Sequence, residues 1–159
     1  MGETVIDFLR HGEPEGGRRY RGDGVDDPLS EKGWRQIWRA VGERIPWQRV
    51  VSSSLARCQG FARALSERHT IPLSVDEHFR EVGFGDWEGR TADDISAQNA
   101  AEFNAFYQDP LRNRPPDAEP LATFGRRVAA ALDDLLDGDP AEAVLVVAHA
   151  GVIRAALDY

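Results

Sequence analysis

The chain reads as an α/β domain, a three-layer α/β/α sandwich whose central sheet is mostly parallel. Three observations predict it. Short apolar runs rich in β-formers recur at 4–9, 50–52 and 143–148. Stretches with apolar residues at helical spacing lie between them. The 159 residues, 42% of them hydrophobic, are enough to fill the core of one domain spanning 1–159. Strands that alternate with helices pair in parallel and bury both faces of the sheet. In such sheets ligands bind beyond the carboxyl ends of the strands.

The elements follow in order. Thr4-Val5-Ile6-Asp7-Phe8-Leu9 is short and rich in β-formers, a buried strand that stops at Arg10-His11-Gly12. Residues 12–28 carry Gly, Pro, Asp and Arg without periodicity and form a loop. Ser30 caps a helix with Trp34, Ile37, Trp38, Val41 and Ile45 on one face. Val50-Val51-Ser52 is the second strand, and Ser53 or Ser54 opens a helix carrying Cys58, Phe61, Ala62 and Leu65 on one side. Pro72-Leu73-Ser74-Val75 is a weaker third strand, and 79–90 is aromatic, Gly-rich, acidic and irregular.

Thr91 and Asp94 match a capping box at the start of a helix with Ile95, Phe103 and Phe106. Residues 109–120 hold four of the nine prolines and form a loop. Leu121, Phe124, Val128, Leu132 and Leu135 space the next helix, which stops near Gly138-Asp139-Pro140. The continuous apolar run 143–148 is the clearest strand; it ends at His149, and Gly151-Val152-Ile153-Arg154 begins a last helix. The chain carries no repeat and no low-complexity tract.

Composition narrows the partners. Lys+Arg 19 against Asp+Glu 27 gives a formal charge of −8, which disfavours nucleic acid or an anionic membrane as the main partner. Small anions remain compatible, because a few arginines in one cleft outweigh the average field. A single cysteine, Cys58, rules out an intrachain disulfide and C-x-x-C chemistry, and it reads as a buried helix residue. Met1-Gly2-Glu3-Thr4 has no basic start with an apolar signal core, and no apolar run approaches the roughly 18 residues of a membrane span. The expectation is a soluble, cytoplasmic domain; oligomeric state is not legible.

Two histidines, His11 and His149, each follow a strand on the face where ligands bind. A lone His is usually structural, but two at independent strand exits shift the odds. His69 and His78 read as surface residues. Arg57, near the start of the helix after the second strand, is either a solvated residue or a phosphate clamp, since guanidinium donors match phosphate oxygens in pairs. Arg10 offers a second clamp. Glu81 is either a solvated loop carboxylate or, if desolvated and protonated, a proton donor to a leaving oxygen. A metal site fits poorly, because neither H-E-x-x-H nor D-x-D accompanies the histidines, and P-loop and G-x-S-x-G motifs are absent. Metal-free phosphoryl transfer through histidine remains.

Four blocks carry a resemblance: Phe8-Leu9-Arg10-His11-Gly12-Glu13, Ser52-Ser53-Ser54-Leu55-Ala56-Arg57, Phe84-Gly85-Asp86-Trp87-Glu88-Gly89 and Ala148-His149-Ala150-Gly151-Val152-Ile153-Arg154. Their order and separations resemble the histidine phosphatase (phosphoglycerate mutase-like) superfamily across essentially the whole chain. The resemblance implies that fold with a helical insert at about 91–136. It implies His11 as nucleophile, with Arg10, Arg57 and His149 on the phosphate oxygens and Glu81 as proton donor. It implies a small-molecule phosphomonoester as substrate and no metal or organic cofactor.

The loop 13–22, Asp27-Pro28-Leu29-Ser30 and the insert are most similar to alpha-ribazole phosphatases of cobalamin biosynthesis. Tyr20, Arg21, Gly22 and Trp87 are the candidate substrate contacts, with Phe103, Phe106 and Tyr107 as further aromatic candidates or ordinary packing. Three departures stand out. Gly16-Gly17 replaces a phosphate-contacting Asn, Pro115 to Pro120 lacks a glycine turn, and His149-Ala150-Gly151 replaces His-Gly-Gly. The chain after His149 is also shorter than the family's, as expected of a C-terminally truncated or unusually short member. The alternatives are a phosphoglycerate mutase-type transfer and a non-enzymatic phosphoryl-binding protein.

Overall fold

The clearest apolar run becomes the middle of the sheet. In the computed structural model, which describes residues 2–138 and 142–159, β4 (Ala143–Ala148) lies between β1 (Val5–Arg10) and β2 (Arg49–Ser52), and β3 (Leu73–Val75) pairs with β2. All three pairings are parallel. Met1, and Asp139 and Pro140 at the expected helix stop, lie outside the described residues.

Alternate residues of β4 face opposite layers, as a strand's period of two requires. Val144, Val146 and Ala148 pack with Phe124, Val128 and Leu132 of α5 (Leu121–Leu136) and Val152 of α6 (Ala150–Leu157). Leu145 and Val147 pack with Ile37 of α1 (Glu31–Val41) and Phe61 and Leu65 of α2 (Ala56–His69). These are the two helical layers of the expected sandwich. A third cluster, Trp87, Ile95 and Phe106, joins the 3-10 turn at Gly85–Trp87 to α3 (Ala92–Gln98) and α4 (Ala100–Gln108).

Four local expectations change. β1 is an edge strand and not a buried one: it pairs on one side only, and Val5 is 51% exposed. α1 stops at Gly42, whose φ of 68° favours glycine, so Ile45 packs from the following loop. Leu55, and neither Ser53 nor Ser54, occupies the N-cap of α2, with no side-chain cap bond. The helix expected to run from Thr91 through Phe106 is two helices, because Asn99 leaves helical geometry at φ −152°, ψ 83° and caps α4 through its side chain on Glu102 N. The Thr91–Asp94 capping box forms with both reciprocal bonds.

Candidate active site

Sheet order builds the floor of the site. Arg10 pairs with Ala148 across β1 and β4, and Ser52 pairs with Val147 across β2 and β4. The next residues along each strand are therefore neighbours. His11, His149 and Ser53 leave the sheet side by side, with the His11 N–H still bonded to Ala148 O at 3.2 Å and the Ser53 N–H to Val147 O at 3.0 Å. The His11 and His149 rings stand 5.2 Å apart at 64°.

His11 Nδ1 lies 2.7 Å from Gly12 O. A carbonyl only accepts, so Nδ1 carries the proton and Nε2 keeps its lone pair. Burial, with Arg57, Arg10 and Arg21 nearby, lowers the His11 pKa to about 4 against the pull of that carbonyl bond. The imidazole is neutral at physiological pH. His149 is fully buried, and burial together with Arg57, His11, Arg127 and Arg10 holds its pKa well below the usual value.

A cavity of about 580 Å3 opens at His11, lined also by Arg10, Arg57, Glu81, Phe84 and the loop residues 17–22 among others, while His149 and Ser53 are fully buried and do not line it. Arg57 is 2% exposed, and its guanidinium donates to Gly22 O at 2.8 Å and Val25 O at 3.0 Å. Arg10 is exposed at the end of β1. Glu81 accepts from Val82 N at 2.9 Å on Oε1 and from Gly151 N at 3.1 Å on Oε2, which ties it to the start of α6. A Cβ on Gly151 would stand 2.3 Å from Glu81 Oε1, so only glycine lets the carboxylate lie there. Of the two positions that follow His149, a side chain at Ala150 leaves Glu81 in place, whereas one at Gly151 would push the carboxylate aside.

Among the expected substrate contacts, Tyr20, Arg21 and Gly22 line the cavity and Trp87 does not. Trp87 is 1% exposed, its Nε1 donates to Glu102 Oε1 at 3.0 Å, and its ring packs on Phe106 and Tyr20. Trp87 is packing, not pocket. Arg21, 9% exposed, spends its guanidinium on Asp27 Oδ2 and on the carbonyls of Glu15 and Gly17, so it braces the loop. Tyr20 packs against Phe84 with its ring tilted by 43°, and its hydroxyl meets that of Tyr107 on α4.

Gly22, at φ 57°, is confined by Glu88, whose carboxylate caps the N–H groups of Asp23, Gly24 and Phe84. Phe84 also lines a second, more apolar cavity of about 550 Å3 that meets the first at Glu81; Phe106 faces the second, and Phe103 packs against Trp87. Phe84 was in plain view in the Phe-Gly-Asp-Trp block, whereas Ser53, in contact with His149, stood out only as a possible helix opener and as part of the Ser52–Arg57 block.

Cys58 is buried, donates to Ala148 O at 3.3 Å, and burial raises its thiol pKa. Among the described residues no group of three or more His, Cys, Asp or Glu gathers as a metal site, and no helix is long and apolar enough to cross a membrane.

Comparison with known proteins agrees with this arrangement. The model of the histidine phosphatase superfamily (branch 1) matches residues 6–159. A bifunctional protein of Mycobacterium tuberculosis is 33% identical over 155 residues, covering 95% of this chain, which spans only 42% of that protein's length. The adenosylcobalamin/alpha-ribazole phosphatase of Salmonella typhimurium is 31% identical over 150 residues, 92% of this chain and 74% of that one. The solved structure of YhfR from Bacillus stearothermophilus superposes with a TM-score of 0.86 at 30% identity, covering 97% of this chain and 78% of that one. The chain belongs to the histidine phosphatase superfamily.

Proposed function

We propose that this superfamily member is a cytoplasmic phosphomonoesterase that works without a metal, through a phosphohistidine on His11. The observation that carries the reading is the His11 imidazole, neutral, with Nδ1–H fixed on Gly12 O and the Nε2 lone pair left free in a cavity that holds Arg10 and Arg57. In the first step Nε2 attacks phosphorus; the P–O bond to the leaving alkoxide breaks and Glu81 gives that oxygen a proton. In the second, water attacks the phosphoryl group, Glu81 takes the water's proton, and the P–N bond breaks to release phosphate and restore His11. Arg10 and Arg57 offset charge on the equatorial oxygens, and His149 adds a donor from behind.

Among phosphomonoesters we favour alpha-ribazole 5'-phosphate, the ester of cobalamin biosynthesis. The identity to the Salmonella phosphatase supports this reading, as does the wall that Tyr20 and Phe84 give the cavity, aromatic surface suited to a flat nucleoside-like leaving group. The test is phosphate release, with a chelator present, from alpha-ribazole phosphate, nucleoside monophosphates, phosphoglycerates and an aryl phosphate. A kcat/KM for alpha-ribazole phosphate well above the others is expected. Turnover of the aryl ester alone keeps the chemistry and discards the substrate. Phosphate moved between positions of a phosphoglycerate without release makes the protein a mutase. No turnover of any ester overturns the enzyme reading.

A further inference from the structure

The order β1, β4, β2 places three side chains in a row, and the proposed mechanism uses only two. His149 lies in the middle, fully buried, with Nε2 2.8 Å from Ser53 Oγ. Ser53 is also fully buried. Its hydroxyl oxygen already accepts the N–H of Leu55 at 3.2 Å. The hydroxyl proton therefore needs an acceptor, and His149 Nε2 is the one nitrogen or oxygen in reach among the described residues. If Nε2 carried the imidazole proton instead, two N–H groups would converge on one buried oxygen whose own proton had no oxygen or nitrogen to meet. A buried donor left unmet costs about 1–3 kcal/mol.

Ser53 is also within hydrogen-bonding reach of the Cys58 thiol, but sulfur is a weak acceptor and His149 Nε2 remains the stronger partner for the hydroxyl proton. Cys58 donates its S–H to Ala148 O, and its sulfur lies 3.5 Å from Nε2 and 3.9 Å from Nδ1. With Nε2 accepting from Ser53, the single proton of the neutral His149 ring resides on Nδ1. There it has no oxygen or nitrogen acceptor among the described residues, only that distant sulfur. A buried N–H with only a weak sulfur contact, on a ring 5.2 Å from the ring of His11, is a donor available to an oxygen that arrives with the substrate.

We propose that Ser53 is a positioning residue: its hydroxyl holds His149 in the Nδ1–H tautomer, so that a fixed donor and not a lone pair serves the phosphoryl group during transfer. Ser53 touches no reacting atom and acts through His149. The catalytic consequence rests on the phosphatase reading, whereas the tautomer is measurable without turnover.

Long-range 1H–15N correlation of the full chain labelled with 15N-histidine, near neutral pH, reads the tautomer directly, with His149→Gln assigning the signals. A bare Nε2 and a protonated Nδ1 on His149 are expected; a protonated Nε2 overturns the proposal. Ser53→Ala is expected to move His149 toward the other tautomer and to lower kcat on an aryl phosphate about 10- to 100-fold, with KM little changed. Ser53→Thr, which keeps the hydroxyl, restores the tautomer and most of the rate. An unchanged tautomer or an unchanged kcat in Ser53→Ala sinks the proposal. If Ser53→Ala does not fold, the wild-type and Ser53→Thr spectra decide it. Absence of wild-type turnover defeats the phosphatase reading and leaves the tautomer result standing on its own.

Discussion

The floor of the site and its mouth are built by different forces. On the floor, strand register places His11, His149 and Ser53, and backbone bonds from His11 N and Ser53 N carry the pairing past the strand ends. At the mouth, loop 12–28 forms no helix or strand beyond a single bridge between Pro14 and Leu29, and polar side chains reinforce its few backbone bonds. Arg21 grips the carbonyls of Glu15 and Gly17, Asp27 pairs with Arg19 and Arg21, and Arg57 grips Gly22 and Val25. A floor set by main-chain pairing is shared by every substitution that leaves the sheet intact. A mouth set by a few polar bonds is re-cut by single changes. On the proposed function, the fold thus separates a reaction that must not vary from a substrate preference that can.

The floor breaks most completely at the proposed nucleophile. His11→Ala is expected to cut turnover roughly 10^4-fold or more while circular dichroism stays unchanged, since the side chain supports no core cluster. Retained turnover would move the nucleophile elsewhere. Glu81 joins floor and mouth, and Gly151→Ala tests that joint without touching the carboxylate itself. The new methyl displaces Glu81 from its place at the start of α6. Steady-state rates on an alkyl phosphate are expected to fall roughly a hundredfold, and much less on an aryl phosphate, whose leaving group needs little protonation. Equal losses on both esters would separate Glu81 from the proton transfer.

The same division governs how far the sequence could be read. β4 was legible because a continuous apolar run has one reading in an α/β chain, and His11 and His149 followed from strand ends. β1 read as buried because its composition resembles an interior strand; its exposure depends on which strand it pairs with, and no local pattern carries that. Trp87 read as a pocket residue because an aromatic in a Gly-rich block looks the same whether it faces ligand or core, and only α3 and α4 decide it. Arg21 read as a substrate contact from the likeness of its loop; it does line the cavity, but its bonds to Asp27 and to loop carbonyls come from a fold of the loop that lacks periodicity. The split at Asn99 was hidden because the apolar spacing runs through it.

Acid separates the two regions by window and not by sign, with the smallest of these effects. The His11 pKa is about 4 in the folded protein against 6.5 ordinarily, so the unfolded chain takes up a proton that the folded one refuses. Stability from this group is intact above pH 6.5 and falls as pH drops toward 4, with His149 adding in the same direction. A shift of that size is a loss of about 1–2 kcal/mol once the partial exposure of His11 is allowed for. At the mouth the sign is the same and the window lies lower. Burial raises the Asp27 pKa, but the bonds from Arg19 and Arg21 outweigh it and hold the carboxyl below its ordinary 3.8. Its contribution is present above that value and is lost only as pH falls below it. Urea unfolding from pH 7 to 3 is therefore expected to show a first decline between 6.5 and 4 that His11→Ala flattens and Asp27→Asn leaves in place. A decline in that window that Asp27→Asn removes would assign the acid sensitivity to the mouth instead.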